Sequence, residues 1–147
     1  MDAAMTPGFQ MNKLVPELLV TNLDRSLEFY CAILGFRVEY QRPESGFAFL
    51  DFNGAQLMLE EDDQESSPWR VEPLEAPFGR GMNLSIECPD IRVLAQALVH
   101  AGIMLRRDIQ ECWYRQDDRL CGQSNLLVLD PDGYLLRFTQ ALGFRPA

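Results

Sequence analysis

The sequence has very little histidine and no closely spaced cysteines. His100 is the only histidine, and the four cysteines, Cys31, Cys88, Cys112 and Cys121, include no C-x-x-C pair. Structural zinc sites need several histidine or cysteine ligands at close spacing, so the usual zinc modules are excluded. We interpret the cysteines as free thiols in a reducing compartment. With one histidine, placed near the end of a predicted outer helix, no Ser-His-Asp or Cys-His arrangement can be assembled, and we predict no catalytic residue.

Positive charge is also scarce. Lys13 is the only lysine, and the formal net charge is -9. Proteins that bind nucleic acid need a surplus of lysine and arginine to release counterions from the backbone, so we expect no nucleic-acid partner. An acidic balance favours solubility, and it also raises the local concentration of a cationic small molecule.

Long apolar runs are missing. No segment approaches the roughly 20 apolar residues of a membrane-spanning helix, so we expect no membrane association. Residues 1–13 lack the basic start and apolar stretch of a secretory signal, and we expect a flexible tail and a cytoplasmic location. The 147 residues are 47% hydrophobic, which is enough for a single domain with a real core.

The first half of the chain predicts the order strand, helix, strand, strand, strand. LVPELLVT (14–21) reads as a strand, with an edge or break near Pro16, which has no amide hydrogen to donate. Asn22 is a good N-cap for a helix that ends at Gly35. FRVEYQR, GFAFLDF and AQLMLEE then read as strands, with Asn53-Gly54 as a hairpin turn.

The second half repeats this order after an acidic segment, 62–81, which reads as a linker or an ordered surface loop. MNLSIEC and IMLRRDI are predicted strands on either side of a helix over IRVLAQALVHA, which Asp90 caps. A polar insertion is expected from Gln110 to Gln123, followed by a hairpin in SNLLVLDPDGYLLRFTQ. We therefore predict modules at 14–61 and 82–141 and a short C-terminal tail at 142–147.

The two halves can be aligned on each other. AFLDFNGAQLMLE against LVLDPDGYLLRFT matches Leu50 with Leu129, Asp51 with Asp130 and Leu57 with Leu136. The helices RSLEFYCAILG and RVLAQALVHAG also match. A repeat in the same order indicates a duplicated βαβββ unit.

These motifs carry a resemblance to a known family. LVPELLVTNLDRSLEFYCAILGF, GAQLMLEE and NLLVLDPDGYLLRF resemble the vicinal oxygen chelate superfamily, which includes glyoxalase I, bleomycin resistance proteins and extradiol dioxygenases. The resemblance is closest to the bleomycin-resistance-like branch. It implies an α+β fold of two βαβββ modules that form a curved mixed sheet around a cavity.

The resemblance also implies where a metal would bind. The superfamily's metalloenzymes place ligands at positions that correspond to Val15, Met58, Asn83 and Arg137. Of these, only Asn83 offers an oxygen, and Arg137 would repel a divalent ion. We therefore expect no metal and no cofactor. The resemblance then points to the non-metal members, which bind large, cationic, partly planar antibiotics as homodimers in a groove at the subunit interface.

Strand alternation predicts which side chains line the cavity. One face of the strands is apolar, with Leu18, Leu59, Ile86 and Phe138 among its members, and is expected to pack under the helices. The other face mixes polar and apolar groups, and its candidate ligand contacts are Glu17, Met58, Glu60, Asn83, Ser85, Glu87 and Arg137. Each polar member is either a solvated or satisfied group or a ligand contact, and for Arg137 we expect an ion pair with one of the glutamates.

Trp113 and Tyr114 are two further candidates. They stand together in the predicted polar insertion, where a core does not need large aromatics. They form either a platform for stacking a planar ligand, a dimer contact or the cover of a sheet edge. The resemblance implies that the stacking tryptophan of bleomycin binders falls near Cys121 and Gly122.

Two functions remain open. The first is a metal-independent protein that sequesters a cationic or planar small molecule in a dimer groove. The alternative is a glyoxalase-like or dioxygenase-like enzyme of the same fold, with a displaced metal site or a carboxylate base such as Glu17 or Glu60.

Overall fold

Each half of the chain forms its own four-stranded mixed sheet. The structure is a computed structural model that describes residues 9–147. Two compact units, residues 1–78 and 79–147, divide the chain within the acidic segment. The strand orders are β1-β4-β3-β2 and β5-β8-β7-β6, which are equivalent, so the predicted duplication and the α+β fold class are confirmed. The four strands of each unit are hydrogen-bonded within that unit.

The elements of the first unit follow the predicted order. They are β1 (Glu17–Val20), α1 (Leu23–Leu27) with a π-helical continuation (Glu28–Ile33), β2 (Arg37–Arg42), a 3-10 turn (Pro43–Ser45), β3 (Phe47–Phe52) and β4 (Ala55–Glu61). The second unit contains β5 (Asn83–Glu87), α2 (Ile91–His100), β6 (Arg107–Gln116), β7 (Arg119–Leu129) and β8 (Leu135–Pro146). No helix in the described part of the chain is long and apolar enough to cross a membrane.

Local sequence signals set several boundaries. Pro16 cannot donate a ladder hydrogen bond, and β1 begins directly after it as an edge strand parallel to β4. Asn22 caps α1 by accepting a hydrogen bond from the Arg25 amide at 2.9 Å, and Asp90 caps α2 through its Oδ1. At the β3–β4 hairpin, Asn53 and Gly54 both have positive φ, as a tight primed turn requires.

One face of each sheet is apolar and packs under a helix. In the first sheet this face includes Leu18, Val20, Leu57 and Leu59, all at most 3% exposed. In the second sheet, Leu126, Val128, Leu136 and Phe138 are fully buried, and α2 packs on β6, β7 and β8 through residues that include Leu94 and Leu98. The predicted separation of an apolar from a mixed face is therefore confirmed for both sheets.

Three predicted segments differ in the structure. The expected polar insertion, 110–123, consists of the ends of β6 and β7, which pair antiparallel across a turn at Asp117, whose φ is 55°. The expected C-terminal tail, 142–147, is mostly strand, because β8 continues to Pro146 and stays paired with β7 beyond a register shift between Gly122 and Gln123. The polar composition of 110–123 reflects strands that are exposed, since open strands do not need apolar side chains.

Part of the predicted N-terminal tail is held on the first sheet. Residues 1–8 lie outside the described residues. Asn12 donates its backbone amide to Gln56 Oε1 at 2.7 Å and its side-chain amide to the Gly54 carbonyl at 2.9 Å. Gln56 Nε2 donates to the Gln10 carbonyl at 2.8 Å, and the Phe9 ring packs edge-on against Phe49 at 5.0 Å. Residues 9–13 are therefore bound to the sheet.

The repeat alignment is wrong by one residue at the second hairpin. Leu50 pairs with Leu57, and the equivalent pair in the second sheet is Val128 with Leu136. Leu50 is buried, whereas Leu129, its predicted match, is 37% exposed. Counted between these equivalent pairs, the second hairpin contains one more residue than the first. Its turn is organised by Asp130, whose Oδ1 accepts hydrogen bonds from the amides of Asp132 and Tyr134, both at 2.9 Å.

We expect Asp130→Ala to destabilise the protein by about 1–3 kcal/mol, because two buried amides lose their acceptor. The matched control is Asp51→Ala in the first hairpin, where the carboxylate accepts one backbone amide, from Gly54 in an exposed turn, and the Gln56 side-chain amide at 3.3 Å. Its loss should cost less than about 1 kcal/mol. Urea unfolding followed by circular dichroism measures both, and equal losses for the two variants would contradict this account of the turn.

Candidate functional site

The first sheet brings three of the predicted ligand contacts together. Glu17 on β1 lies opposite Met58 on β4, and Leu19 lies opposite Glu60. Because side chains two residues apart share a face, Glu17, Met58 and Glu60 project from the same side of the sheet. We call this side the first mixed face. It comprises Glu17, Leu19, Tyr40, Arg42, Phe47, Phe49, Met58 and Glu60.

The surroundings of Glu17 disfavour its charged form. The pKa of Glu17 is raised above its ordinary value, chiefly because the side chain is half-buried and then because the Glu60 carboxylate is close by. Arg42 acts in the opposite direction and lowers the pKa of Glu17. Glu17 is therefore a partly desolvated carboxylate with a like charge beside it, an arrangement that favours a bound cation.

An aromatic cluster lies beside these carboxylates. Tyr40 and Phe49 stack with ring centroids 5.3 Å apart and an interplanar angle of 15°, and Tyr40 also contacts Phe47 at 5.8 Å. Phe9 packs edge-on against Phe49. The guanidinium carbon of Arg42 stands 4.1 Å from the centre of the Phe47 ring, within the range of a cation–π contact.

Sequence analysis missed Tyr40 and Arg42 because of a β-bulge. Simple alternation from Arg37 would place Glu39 and Gln41 on the first mixed face. The pairing of β2 with β3 shifts between Val38 and Tyr40, so that Tyr40 lies opposite Phe49 and Arg42 opposite Phe47. One extra residue in a strand moves every later side chain to the other face. Glu39, the residue at the bulge, is buried and accepts a hydrogen bond from Arg37 Nε at 2.9 Å.

The second sheet brings together the other predicted strand contacts. Ser85 lies opposite Arg137, and Asn83 and Glu87 lie opposite Leu135 and Thr139. These residues share the second mixed face, which also contains Arg107, Asn125 and Leu127. Asn83, Ser85 and Glu87 are exposed, and Arg137 is partly buried.

The expected ion pair of Arg137 with a glutamate is wrong. Within the part of the chain that the structure describes, Arg137 forms no ion pair, and its Nε is buried with no hydrogen-bond acceptor. Glu87 is the glutamate nearest in the ladder, but its strand position is opposite Thr139 and its side chain is exposed to water. A solvated carboxylate gains little from pairing, so Glu87 stays apart.

Two polar residues of this face were not predicted as site residues. Arg107 donates through Nη2 to Asn125 Oδ1 at 2.8 Å, and Asn125 is fully buried. Asn125 Nδ2 is 3.5 Å from the Tyr114 hydroxyl, which places Tyr114 on the same side of the sheet. They were missed because the β6–β7 hairpin was not predicted. Since 110–123 was interpreted as an insertion, the sequence did not indicate that Arg107 lies in one row with Leu127 and Arg137.

Trp113 does not join Tyr114 in one platform. Neighbouring residues of a strand project to opposite faces, and Trp113 Nε1 donates to Glu111 Oε2 at 2.9 Å on the side away from Tyr114. The Trp113 ring lies over Gly122, where an added Cβ would come within 2.5 Å of it, and Arg145 stands 3.9 Å from the ring centre. The indole thus reaches Gly122, the position near which the resemblance placed a tryptophan, from the neighbouring strand.

The four positions that correspond to metal ligands do not fit a divalent ion. Val15 and Met58 offer no oxygen or nitrogen donor, Asn83 is a neutral amide, and Arg137 carries a positive charge. Among residues 9–147, no group of three or more histidine, cysteine, aspartate or glutamate side chains is arranged to hold a metal. The donor set at these four positions therefore does not fit a divalent metal ion.

Burial disfavours the thiolate form of two of the cysteines, Cys31 and Cys88. All four cysteines are free. Burial, with smaller contributions from Asp90 and Glu87, raises the pKa of Cys88 to about 11, so its thiol stays protonated at neutral pH. Burial also raises the pKa of Cys31.

Comparison with known proteins supports the fold. The sequence model of the Glyoxalase/Bleomycin resistance protein/Dioxygenase superfamily matches residues 11–138. A bleomycin resistance protein of Geobacillus stearothermophilus is 28% identical over 137 residues, which cover 87% of this chain and 96% of that protein. The bleomycin resistance protein of Staphylococcus aureus gives the same values.

Solved structures show the same architecture. TioX from Micromonospora sp. ML1 aligns with a TM-score of 0.67 and 22% identity, covering 90% of this chain and 100% of that chain. A protein of unknown function from Agrobacterium tumefaciens str. C58 aligns with a TM-score of 0.66 and 25% identity, covering 93% and 100%.

The coupling of Glu17 to its neighbours is testable by titration. We expect Glu60→Gln to lower the pKa of Glu17, because the repelling carboxylate is removed, and Arg42→Gln to raise it further, because the attracting cation is removed. Carbon-detected NMR of the Glu17 side-chain carboxyl measures both shifts. Glu28→Gln, an exposed glutamate on the helix, is the control and should leave the titration unchanged. Shifts of the opposite sign would refute the assigned neighbours.

Proposed function

Because the chain belongs to the glyoxalase/bleomycin resistance protein/dioxygenase superfamily, we propose that it is a small-molecule binding protein of the bleomycin-resistance type. It sequesters a cationic ligand with a planar part and uses no metal. The observation that carries this proposal is the first mixed face, where two interacting carboxylates adjoin an aromatic cluster. We assign Glu17, Met58 and Glu60 as ligand contacts.

The carboxylates supply affinity for a cation. Glu17 ionises at a cost because it is partly desolvated and lies near Glu60. A ligand cation between them removes the repulsion and supplies the counter-charge, so its binding gains more than pairing with a fully solvated carboxylate would. The formal net charge of -9 adds a long-range attraction for the same kind of ligand.

The aromatic residues supply a surface for a planar group. Arg42 already covers the buried Phe47 ring with its flat guanidinium group, and this contact supports the proposal that a planar cation can take the place of that group. Arg42 is itself exposed, so a ligand can displace it at little cost. Met58, which stands opposite Glu17 and is unbranched, adapts to ligands of different shape.

The relatives support the same choice. Bleomycin resistance proteins align over most of their length with this chain, and the four positions that correspond to metal ligands in the superfamily's metalloenzymes carry no suitable donor set here. The alternative, a glyoxalase-like or dioxygenase-like enzyme, would need its metal site elsewhere or would use Glu17 as a base. The raised pKa of Glu17 is the one observation that favours the carboxylate base.

We expect bleomycin to bind with saturable heat in isothermal titration calorimetry at micromolar protein. Glu17→Gln and Glu60→Gln should each weaken binding by about tenfold, since each removes one charge-assisted contact, and the binding of the unaltered protein should weaken with added salt.

Glu28→Gln makes the same change of net charge on the exposed helix surface and is the matched control, with an affinity within about twofold of the unaltered protein. Absence of saturable heat with bleomycin would reject the proposed ligand class. An equal loss in the control would show that net charge alone, and not the first mixed face, attracts the ligand.

We also propose that the protein works as a homodimer, as the resemblance to bleomycin binders implies. Sedimentation equilibrium should then give twice the mass of one chain at micromolar concentration. A mass of one chain throughout the accessible concentration range would reject the dimer, without bearing on the contacts of the first mixed face.

A further inference from the structure

The second mixed face holds two arginines in one row of the ladder. Arg137 on β8 lies opposite Leu127 on β7, and Leu127 lies opposite Arg107 on β6. Two strand spacings separate the arginine backbones, about 10 Å. Both side chains project from the same side of the sheet, so a ligand group above Leu127 is within reach of both guanidinium groups.

Both arginines leave a buried donor without an acceptor. Within residues 9–147, only three side-chain nitrogen or oxygen atoms are buried and unpaired, and two of them are Nε of Arg107 and Nε of Arg137. A buried donor that lacks a partner is destabilising, and more so when its group is charged. Buried donors without a partner are uncommon in folded proteins, and a bound group that accepts from both arginines would account for this pair.

The side chains around this pair do not neutralise it. Neither Arg107 nor Arg137 forms an ion pair in the described part of the chain. Their neighbours in the row, Ser85 and Leu127, are uncharged, and Glu87 remains exposed opposite Thr139. Two partly buried cations without a counter-charge therefore present a strong attraction for an anion.

A buried amide holds one of the arginines in place. Asn125 is fully buried and accepts from Arg107 Nη2 at 2.8 Å, which fixes that end of the guanidinium and leaves its Nε free. An oriented guanidinium presents parallel N–H groups that match the two oxygens of a carboxylate. Because Arg107 is already held in place, its binding to a ligand loses less conformational entropy than the binding of a mobile surface arginine would.

We infer that Arg107 and Arg137 form a carboxylate-binding site on the second mixed face, with Asn125 as the residue that positions Arg107. Its ligand is a small organic molecule with a planar carboxylate. The site uses residues of the second unit only and is independent of the cation-binding role proposed for the first mixed face. Either proposal can therefore fail alone.

The test is a titration with benzoate, followed by the arginine Nε–Hε signals in proton–nitrogen NMR spectra. Arg107→Lys and Arg137→Lys, which lack this group, identify the two signals. Benzoate should shift both signals saturably, and benzamide, which has the same shape without the charge, should shift neither. Arg107→Gln and Arg137→Gln should each weaken benzoate binding about tenfold or more.

Arg106→Gln is the matched control. Arg106 is exposed and adjacent to Arg107 in sequence, and its substitution by glutamine changes the net charge by the same amount. Its affinity for benzoate should stay within about twofold. If a glutamine variant fails to fold by circular dichroism, the titration of the unaltered protein still decides. Absence of shifts at both signals, an equal response to benzamide, an equal loss in Arg106→Gln, or tighter binding of inorganic phosphate than of benzoate would overturn the planar-carboxylate site.

Discussion

Parallel pairing of the first strand of each unit with its last strand fixes which side chains can act together. β1 pairs with β4 and β5 pairs with β8, so residues far apart in sequence become neighbours in one row. This parallel pairing places Glu17 opposite Met58 and Ser85 opposite Arg137. Because each sheet has one face buried under a helix, a slip of one residue would bury charges and expose the core, and the register is therefore strongly determined.

Much of this arrangement could be predicted from the sequence. The apolar strand positions, the Asn22 and Asp90 caps and the Asn53-Gly54 turn are local signals with a direct physical cause, and the structure confirms them. The repeat followed from two similar hairpins and two similar helices in the same order. The placement of Glu17, Met58 and Glu60 on one side of a sheet needed only regular alternation, and these strands are regular.

The rest depended on features that alternation cannot show. The bulge after Val38 reverses the faces of Tyr40 and Arg42, and no residue in FRVEYQR marks it. The β6–β7 hairpin is polar because both of its faces are largely exposed there, so its composition resembles that of a loop. Arg107 and Asn125 could be identified as neighbours on one face only from the pairing of β6 with β7. The ion pair expected for Arg137 was also wrong. The chain contains suitable glutamates, but whether one of them lies beside Arg137 depends on the three-dimensional packing, which the sequence does not give.

The duplication kept the topology and let the chemistry diverge. The first mixed face carries two carboxylates with aromatic neighbours, and the second mixed face carries two arginines with a buried amide. A βαβββ unit needs its apolar face to fold, whereas the residues of the mixed face are constrained much less by packing. This freedom explains how one fold can accommodate ligands of different charge.

The contact of Trp113 with Gly122 has a consequence for the history of the chain. The indole lies where any side chain at position 122 would have to stand. A lineage that acquires even a methyl group at position 122 must move or replace the aromatic ring on the neighbouring strand. A lineage that loses the ring exposes the backbone at position 122 to solvent, and a larger residue at that position can then cover it. Positions 113 and 122 are thus expected to change as a pair among descendants of this sequence, with one large residue shared between two strands.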